Sequence, residues 1–158
     1  MIFLSYASED ATLAQQIQTE LETRLPRPAR DTAPIVVWCD RSRTGLRPGD
    51  DWRRVLDDVI RESAIVLVLV TKNARQSEYV TYEWAFALGA CTKVVPIVAD
   101  KQALHPRLAV LQYFDFSAAP AWDDLAKNLR DFIEEKGLNE DLWMKKTTEE
   151  GNPWENCS

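Results

Sequence analysis

Short apolar runs alternate along this chain with stretches whose apolar residues return every three or four positions. Ile2-Phe3-Leu4-Ser5-Tyr6 opens with strand character, and Ser8-Glu9-Asp10 then offers a cap and first-turn negative charge for a helix. Leu13, Ile17, Leu21 and Leu25 follow at i, i+4 steps with Ala14 on the same side, which predicts an amphipathic helix ending before Pro26 and Pro28. A polar, proline-bearing connection leads to Ile35-Val36-Val37-Trp38-Cys39, a nearly continuous β-branched run that suits a strand covered on both faces. Asp40 and Arg41 stand at its carboxyl end, and Ser42 to Asp50, carrying Gly45, Pro48 and Gly49, predicts a loop. Trp52, Val55, Leu56, Val59 and Ile60 then form a helical stripe behind an Asp50 or Asp51 cap.

Ala64 to Val70 is the central strand by apolarity alone. Thr71 to Gln76 leads into a helix opened by Ser77 as N-cap, with Glu78 at the positive end of its dipole and Gly89 as the expected stop. Val94-Val95-Pro96-Ile97-Val98 predicts a fourth strand, where Pro96 lacks a ladder donor and favours an edge or a bulge. Residues 100 to 121 read as irregular, apart from Tyr113-Phe114-Asp115-Phe116 as a short fifth strand. Trp122, Leu125, Leu129, Phe132 and Ile133 predict a last amphipathic helix, and after Gly137 the pattern turns polar. Residues 1–136 are therefore expected as one domain, with 137–158 an appendage or linker.

Strands alternating with helices imply an α/β fold with a parallel sheet, helices on both faces and right-handed crossovers. Ligands of such folds bind outside the carboxyl ends of the strands. There the pattern breaks at one position. On the helix after Ser77, the residues Tyr79, Val80, Glu83, Trp84, Phe86 and Ala87 project to one broad face, and Glu83 lies in its middle. A carboxylate among apolar neighbours contradicts binary patterning, and such contradictions tend to mark functional or strained sites. Its helix leaves a carboxyl-end loop within about two turns, at a rise of ~1.5 Å per residue.

The bulk numbers narrow the chemistry. A length of 158 residues allows a sizeable core, and a net charge of −6 argues against nucleic acid as the main partner, since phosphate contacts need clustered Lys and Arg. A dinucleotide is not excluded, because backbone N–H groups or a few Arg residues suffice for it. Cys39, Cys91 and Cys157 suggest no disulfide framework, and with His105 the single histidine no metal site is expected. The longest apolar run is too short to span a bilayer, and no signal peptide is apparent. The expected setting is cytoplasmic.

Three segments in order then resemble a known family. Phe3-Leu4-Ser5-Tyr6 before an acidic helix start resembles the first strand of TIR (Toll/interleukin-1 receptor) domains. Asp40 to Trp52, with Leu46, Pro48-Gly49 and Trp52, resembles their BB loop and the start of the next helix, and Ser77 to Glu83 resembles the segment holding the catalytic glutamate of NAD-consuming, bacterial-type members. The resemblance implies a flavodoxin-like three-layer fold with a five-stranded parallel sheet. It implies cleavage of the nicotinamide–ribose bond of NAD, here a substrate rather than a cofactor, to ADP-ribose or a cyclic isomer. Glu83 takes the catalytic role, and Tyr6, Ala7, Asp40, Leu46, Ser77 and Tyr79 take substrate contacts. Leu46, Arg47, Pro48 and Gly49 take self-association with other TIR domains into an oligomer or filament, under a fused or separate sensor. An immune, antiphage or cell-death role comes from the resemblance alone. This chain departs from some members in having no basic residue along Tyr6-Ala7-Ser8, and in having Tyr79 where they carry Trp, a position that bears on cyclisation.

Plainer readings stand beside these. Glu83 could pair with an Arg of segment 41–54, Asp40 could cap a turn, and Tyr6 and Tyr79 could simply pack. Trp52 reads as core and Cys39 as inert packing, whereas Leu46 between Gly45 and Arg47 reads as exposed. A non-enzymatic adaptor associating through the Ser42–Asp50 loop is the alternative function. A receiver domain needs an acidic pair after the first strand and an Asp ending the third, where this chain has Ser5-Tyr6 and Thr71. A dinucleotide-binding Rossmann domain needs a glycine-rich first turn, and Tyr6-Ala7-Ser8-Glu9 has none.

Overall fold

The computed structural model describes residues 2–25, 37–39 and 51–147, with the backbone alone for 37–39, 52 and 137–147. Its strands are β1 (Ile2–Ser5), β2 (Val37–Cys39), β3 (Ile65–Val70) and β4 (Lys93–Val98), with a two-residue β5 (Phe114–Asp115) at one edge. All pairings are parallel and the spatial order is β2-β1-β3-β4-β5. The helices are α1 (Ala11–Arg24), α2 (Trp52–Glu62), α3 (Lys72–Gln76), α4 (Glu78–Gly89), α5 (Pro106–Ala109) and α6 (Trp122–Thr147). This is the flavodoxin-like arrangement, with the order of connections reversing beside β1.

Side-chain alternation along the strands builds two cores. Ile2, Leu4, Ile65, Leu67, Leu69, Val95 and Ile97 pack with Ile17 and Leu21 of α1 and Leu125 and Leu129 of α6. The intervening positions Phe3, Val66, Val68, Val70, Val94 and Val98 pack with Leu56 and Ile60 of α2 and Val80, Trp84 and Ala87 of α4. Every residue of β3 is buried, as its unbroken apolar run requires. Burying each such side chain contributes about 1.5–3 kcal/mol before entropy is counted.

Several local expectations need correction. Ser8 does not cap α1; Ser8–Asp10 forms a 3-10 turn instead, and Asp10, the N-cap residue, makes no side-chain capping bond. Val55 is 49% exposed and so lies off the α2 stripe, while Leu56 and Ile60 are buried. Part of the stretch expected to be irregular is ordered, with a 3-10 turn at Lys101–Ala103 followed by α5, whose N-cap His105 accepts from the Arg107 N–H through Nδ1 at 3.0 Å. The last helix continues past Gly137, where the pattern turns polar, and α6 runs to Thr147. One interior Gly costs only about 1 kcal/mol against Ala, and the residues after it are good helix formers.

Pro96 is not in an edge strand, since β4 pairs with β3 along its whole length and with β5 at Ile97 and Val98. The Ala99 N–H bonds toward β3 at Val70, whereas the Val98 carbonyl accepts from Phe116 on the β5 side. By parallel-strand alternation Pro96 shares the orientation of Val98, so its missing donor faces the short strand, where pairing begins only one residue later.

α4 ends at Gly89, as expected, but the left-handed closing position falls two residues later. The Cys91 N–H bonds to the Leu88 carbonyl at 3.2 Å and the Thr92 N–H to the Ala87 carbonyl at 2.9 Å, a Schellman closure with Cys91 in the left-handed position at φ 59°. Cys91 is also disulfide-bonded, which three scattered cysteines do not lead one to expect. Gly89 is the last helical residue, and a Cβ built there meets nothing within 4 Å. Gly89→Ala should therefore stabilise the fold by about 0.5–1 kcal/mol, measured by urea denaturation. An unchanged or lower midpoint would contradict this account of the helix end.

A surface ladder holds α4 to α2. The Tyr82 hydroxyl donates to Asp57 at 2.7 Å, the Phe86 ring stacks on Tyr82 at 6.0 Å, and the Arg61 guanidinium sits 5.1 Å from the Phe86 centroid. The hydrogen bond to Asp57 is the main cause that raises the Tyr82 pKa above 10.0. Because the folded value is raised, the bond's stabilisation is full below pH 10.0 and is lost as pH climbs through the folded value. The Tm gap between wild type and Tyr82→Phe should be constant from about pH 7 to 9 and close above about pH 10. A gap that widens in alkali would refute this.

Candidate functional site

The site forms where β1 ends and α4 begins. Ser5 closes β1 and, by alternation with Phe3, faces the α2–α4 layer. Opposite it, α4 is started by Ser77, which terminates α3 with its N–H on the Ala74 carbonyl at 3.1 Å. The Ser77 hydroxyl then accepts the Val80 N–H at 3.3 Å, as the N-cap reading expected. From that cap the helix turns Val80, Glu83, Trp84 and Ala87 inward.

Glu83 is 2% exposed and Ser5 is 1% exposed. The Ser5 hydroxyl donates to Glu83 Oε2 in a short hydrogen bond that joins residues 78 positions apart. A hydrogen bond to a charged group is worth roughly 1.5–3 kcal/mol. The inward carboxylate read from the pattern is thus present, and it lies at the carboxyl end of the sheet. Ser5 is the member of this candidate site that the sequence did not single out. Its signal was a lone hydroxyl at the end of an apolar strand, on the parity of Phe3, but naming its partner required knowing where α4 docks.

The other expected contacts divide. Ala7 is buried at 3% exposure in the same layer as Glu83. Tyr6, half-buried, packs against the α1–α6 core on the opposite side of the sheet. Tyr79, one turn before Glu83, is 46% exposed, so it stands at the rim of α4 rather than on its buried face. Ser77 is half-buried and occupied as a cap. Asp40, Leu46, Arg47, Pro48 and Gly49 lie outside the described residues.

Two cavities lined by described residues lie away from Glu83. One, of about 1010 Å³, lies beside Cys91, Lys93, Tyr113 and Asn128 at the amino ends of β4 and β5, at the opposite end of the sheet from Glu83. The other, of about 20 Å³, lies between Arg75, Trp84 and His105 and is too small for more than a water. Trp84 faces that second space, with its ring 5.0 Å from that of His105. Its indole therefore belongs to the α4–α5 packing. Among the described residues no helix is long and apolar enough to cross a membrane.

The sequence profile of the TIR domain matches residues 2–130. No curated protein gives a match. Similar solved structures include the TIR domain of the Toll-related receptor TRR-2 from Hydra magnipapillata, at TM-score 0.57 and 15% identity, covering 88% of this chain and 95% of that one. At such identity the likeness speaks for the fold alone. The profile, running from β1 into α6 across the whole sheet, carries the assignment: this chain belongs to the TIR domain family.

Proposed function

We propose that this TIR domain cleaves the nicotinamide–ribose bond of NAD, with Glu83 as the catalytic carboxylate. The single observation that carries the reading is a carboxyl group withdrawn from water at the carboxyl end of a parallel sheet and held by a side chain from another element. Nicotinamide in NAD is a cationic leaving group. When its C–N bond breaks, the electron pair returns to the pyridine nitrogen, which becomes neutral without needing a proton. Positive charge develops on the ribose, as in glycoside hydrolysis. A carboxylate in a low-dielectric wall stabilises that charge strongly. Water then adds to the anomeric carbon and releases a proton, giving ADP-ribose; capture by a nitrogen of the adenine gives a cyclic isomer. In this reading Tyr79, exposed on α4 one turn before Glu83, influences which nucleophile arrives.

TIR domains associate with other TIR domains, and we infer that assembly through the Ser42–Asp50 loop activates this one. Such coupling would suit an immune or cell-death signal driven by a separate or fused sensor. The adaptor alternative draws on the same association without turnover, and the tests below separate the two.

Nicotinamide release by the purified domain is the measurement. Glu83→Gln, shown to be folded by circular dichroism, should lose about 10²–10³-fold in kcat, the scale of removing one preorganised electrostatic group. Ser5→Ala should lose about 10-fold, in keeping with one hydrogen bond to a charged group. Equal rates in wild type and Glu83→Gln would sink the mechanism. The specific activity of wild type should also rise with protein concentration, and Leu46→Asp should flatten that rise. A strictly linear rate from a monomer would rule out activation by assembly.

A further inference from the structure

Asp10 is the N-cap residue of α1, yet its carboxylate caps nothing in that helix. An Asp N-cap is worth roughly 0.5–2 kcal/mol, so its engagement elsewhere forgoes a local gain. Both oxygens reach across to the segment after β3 instead. Oδ2 accepts from the Thr71 hydroxyl at 2.5 Å, and Oδ1 accepts from the Asn73 amide at 3.0 Å. Thr71 is itself the N-cap of α3, since its hydroxyl oxygen accepts the Ala74 N–H at 3.0 Å. One hydroxyl thus closes the start of α3 and fastens it to the loop after β1.

We propose that Asp10 is a positioning residue that sets the distance between Ser5 and Glu83. On one side, the Asp10 N–H bonds the Ala7 carbonyl at 2.9 Å, which ties the carboxylate to a buried residue two places from Ser5. On the other side, α3 passes directly through Ser77 into α4, and Glu83 follows six residues later, a rise of ~9 Å. Asp10 therefore joins the two arms whose ends are the hydroxyl donor and the carboxylate. Sheet pairing of β1 with β3 ends at Ser5–Val68, so the backbone ladder does not hold the loops beyond it. The carboxylate clamp spans them, beside the apolar layer that Ala7 and Ala74 share. It touches no reacting atom; it acts through the Ser5–Glu83 pair, where a misplacement of ~1 Å can cost ~10²-fold in rate.

Only the kinetic arm of the test rests on the NAD-cleaving reading. In Asp10→Ala, kcat should fall about 10-fold with KM within about twofold, and adding Asp10→Ala to Ser5→Ala should produce little further loss, because both act through one contact. Asp10→Asn keeps an acceptor for Thr71 but turns a donor toward Asn73, so it should fall between wild type and Asp10→Ala. Thr71→Ser, which keeps the hydroxyl, should retain kcat. Independently of any activity, amide hydrogen exchange at Ala74 should quicken in Asp10→Ala, while exchange in the buried strand β3 stays unchanged. A kcat loss that multiplies fully with that of Ser5→Ala, or a lowered Tm with kcat untouched, would overturn the proposal. If wild type releases no nicotinamide, the NAD reading fails by itself, and the exchange of Ala74 decides the clamp: protection equal to wild type refutes it.

Discussion

A carboxyl group taken out of water must be bonded by its surroundings or give up its charge, and this requirement at Glu83 organises the carboxyl-end edge of the sheet. Ser5 supplies a donor from β1, while α4 supplies the carboxylate. Neither element reaches the other through the chain; they meet because β1 pairs beside β3 in the sheet and α4 packs on the face toward which Ser5 points. The full burial of β3 is therefore a condition of the site as well as of the core.

Around that pair, polar side chains fasten the elements that must not drift. Thr71, Asn73 and Asp10 hold the loops after β1 and β3 together, and Ser77 ends α3 while beginning α4. The Tyr82–Asp57 bond and the Phe86–Arg61 contact keep α4 against α2 on its outer side. On the next loop, the Lys101 ammonium lies 2.7 Å from Asp115 and, with Ser117, holds its carboxyl at about 2, well below the usual range. That contact joins the stretch after β4 to β5. Polar groups at this edge thus act as fasteners between loops, whereas apolar groups set the layers.

Much of this was legible in the chain. Periodicity placed β1, β3, β4, α1, α2, α4 and the start of α6, and a serine before an acidic residue marked the head of α4. The misses share a cause. Ser8 and Asp10 look like a helix cap in sequence, but the loop after β3 competes for the carboxylate and wins it with two donors. Gly89 does end α4, but the left-handed closing residue is Cys91 and the closing bonds fall to Cys91 and Thr92. Val55 and Tyr79 fit their apolar stripes, but each lies beyond the width of surface that the neighbouring layer covers.

What the sequence determined by itself was the set of faces: which residues seek the core, and that one carboxylate sits on an apolar one. These follow from strand and helix periods, which are local properties of the backbone. What only the tertiary structure decided was partnership. Ser5 with Glu83, Asp10 with Thr71 and Tyr82 with Asp57 are separated by 78, 61 and 25 positions. No period relates such residues, because their contact depends on the order in which strands and helices stack.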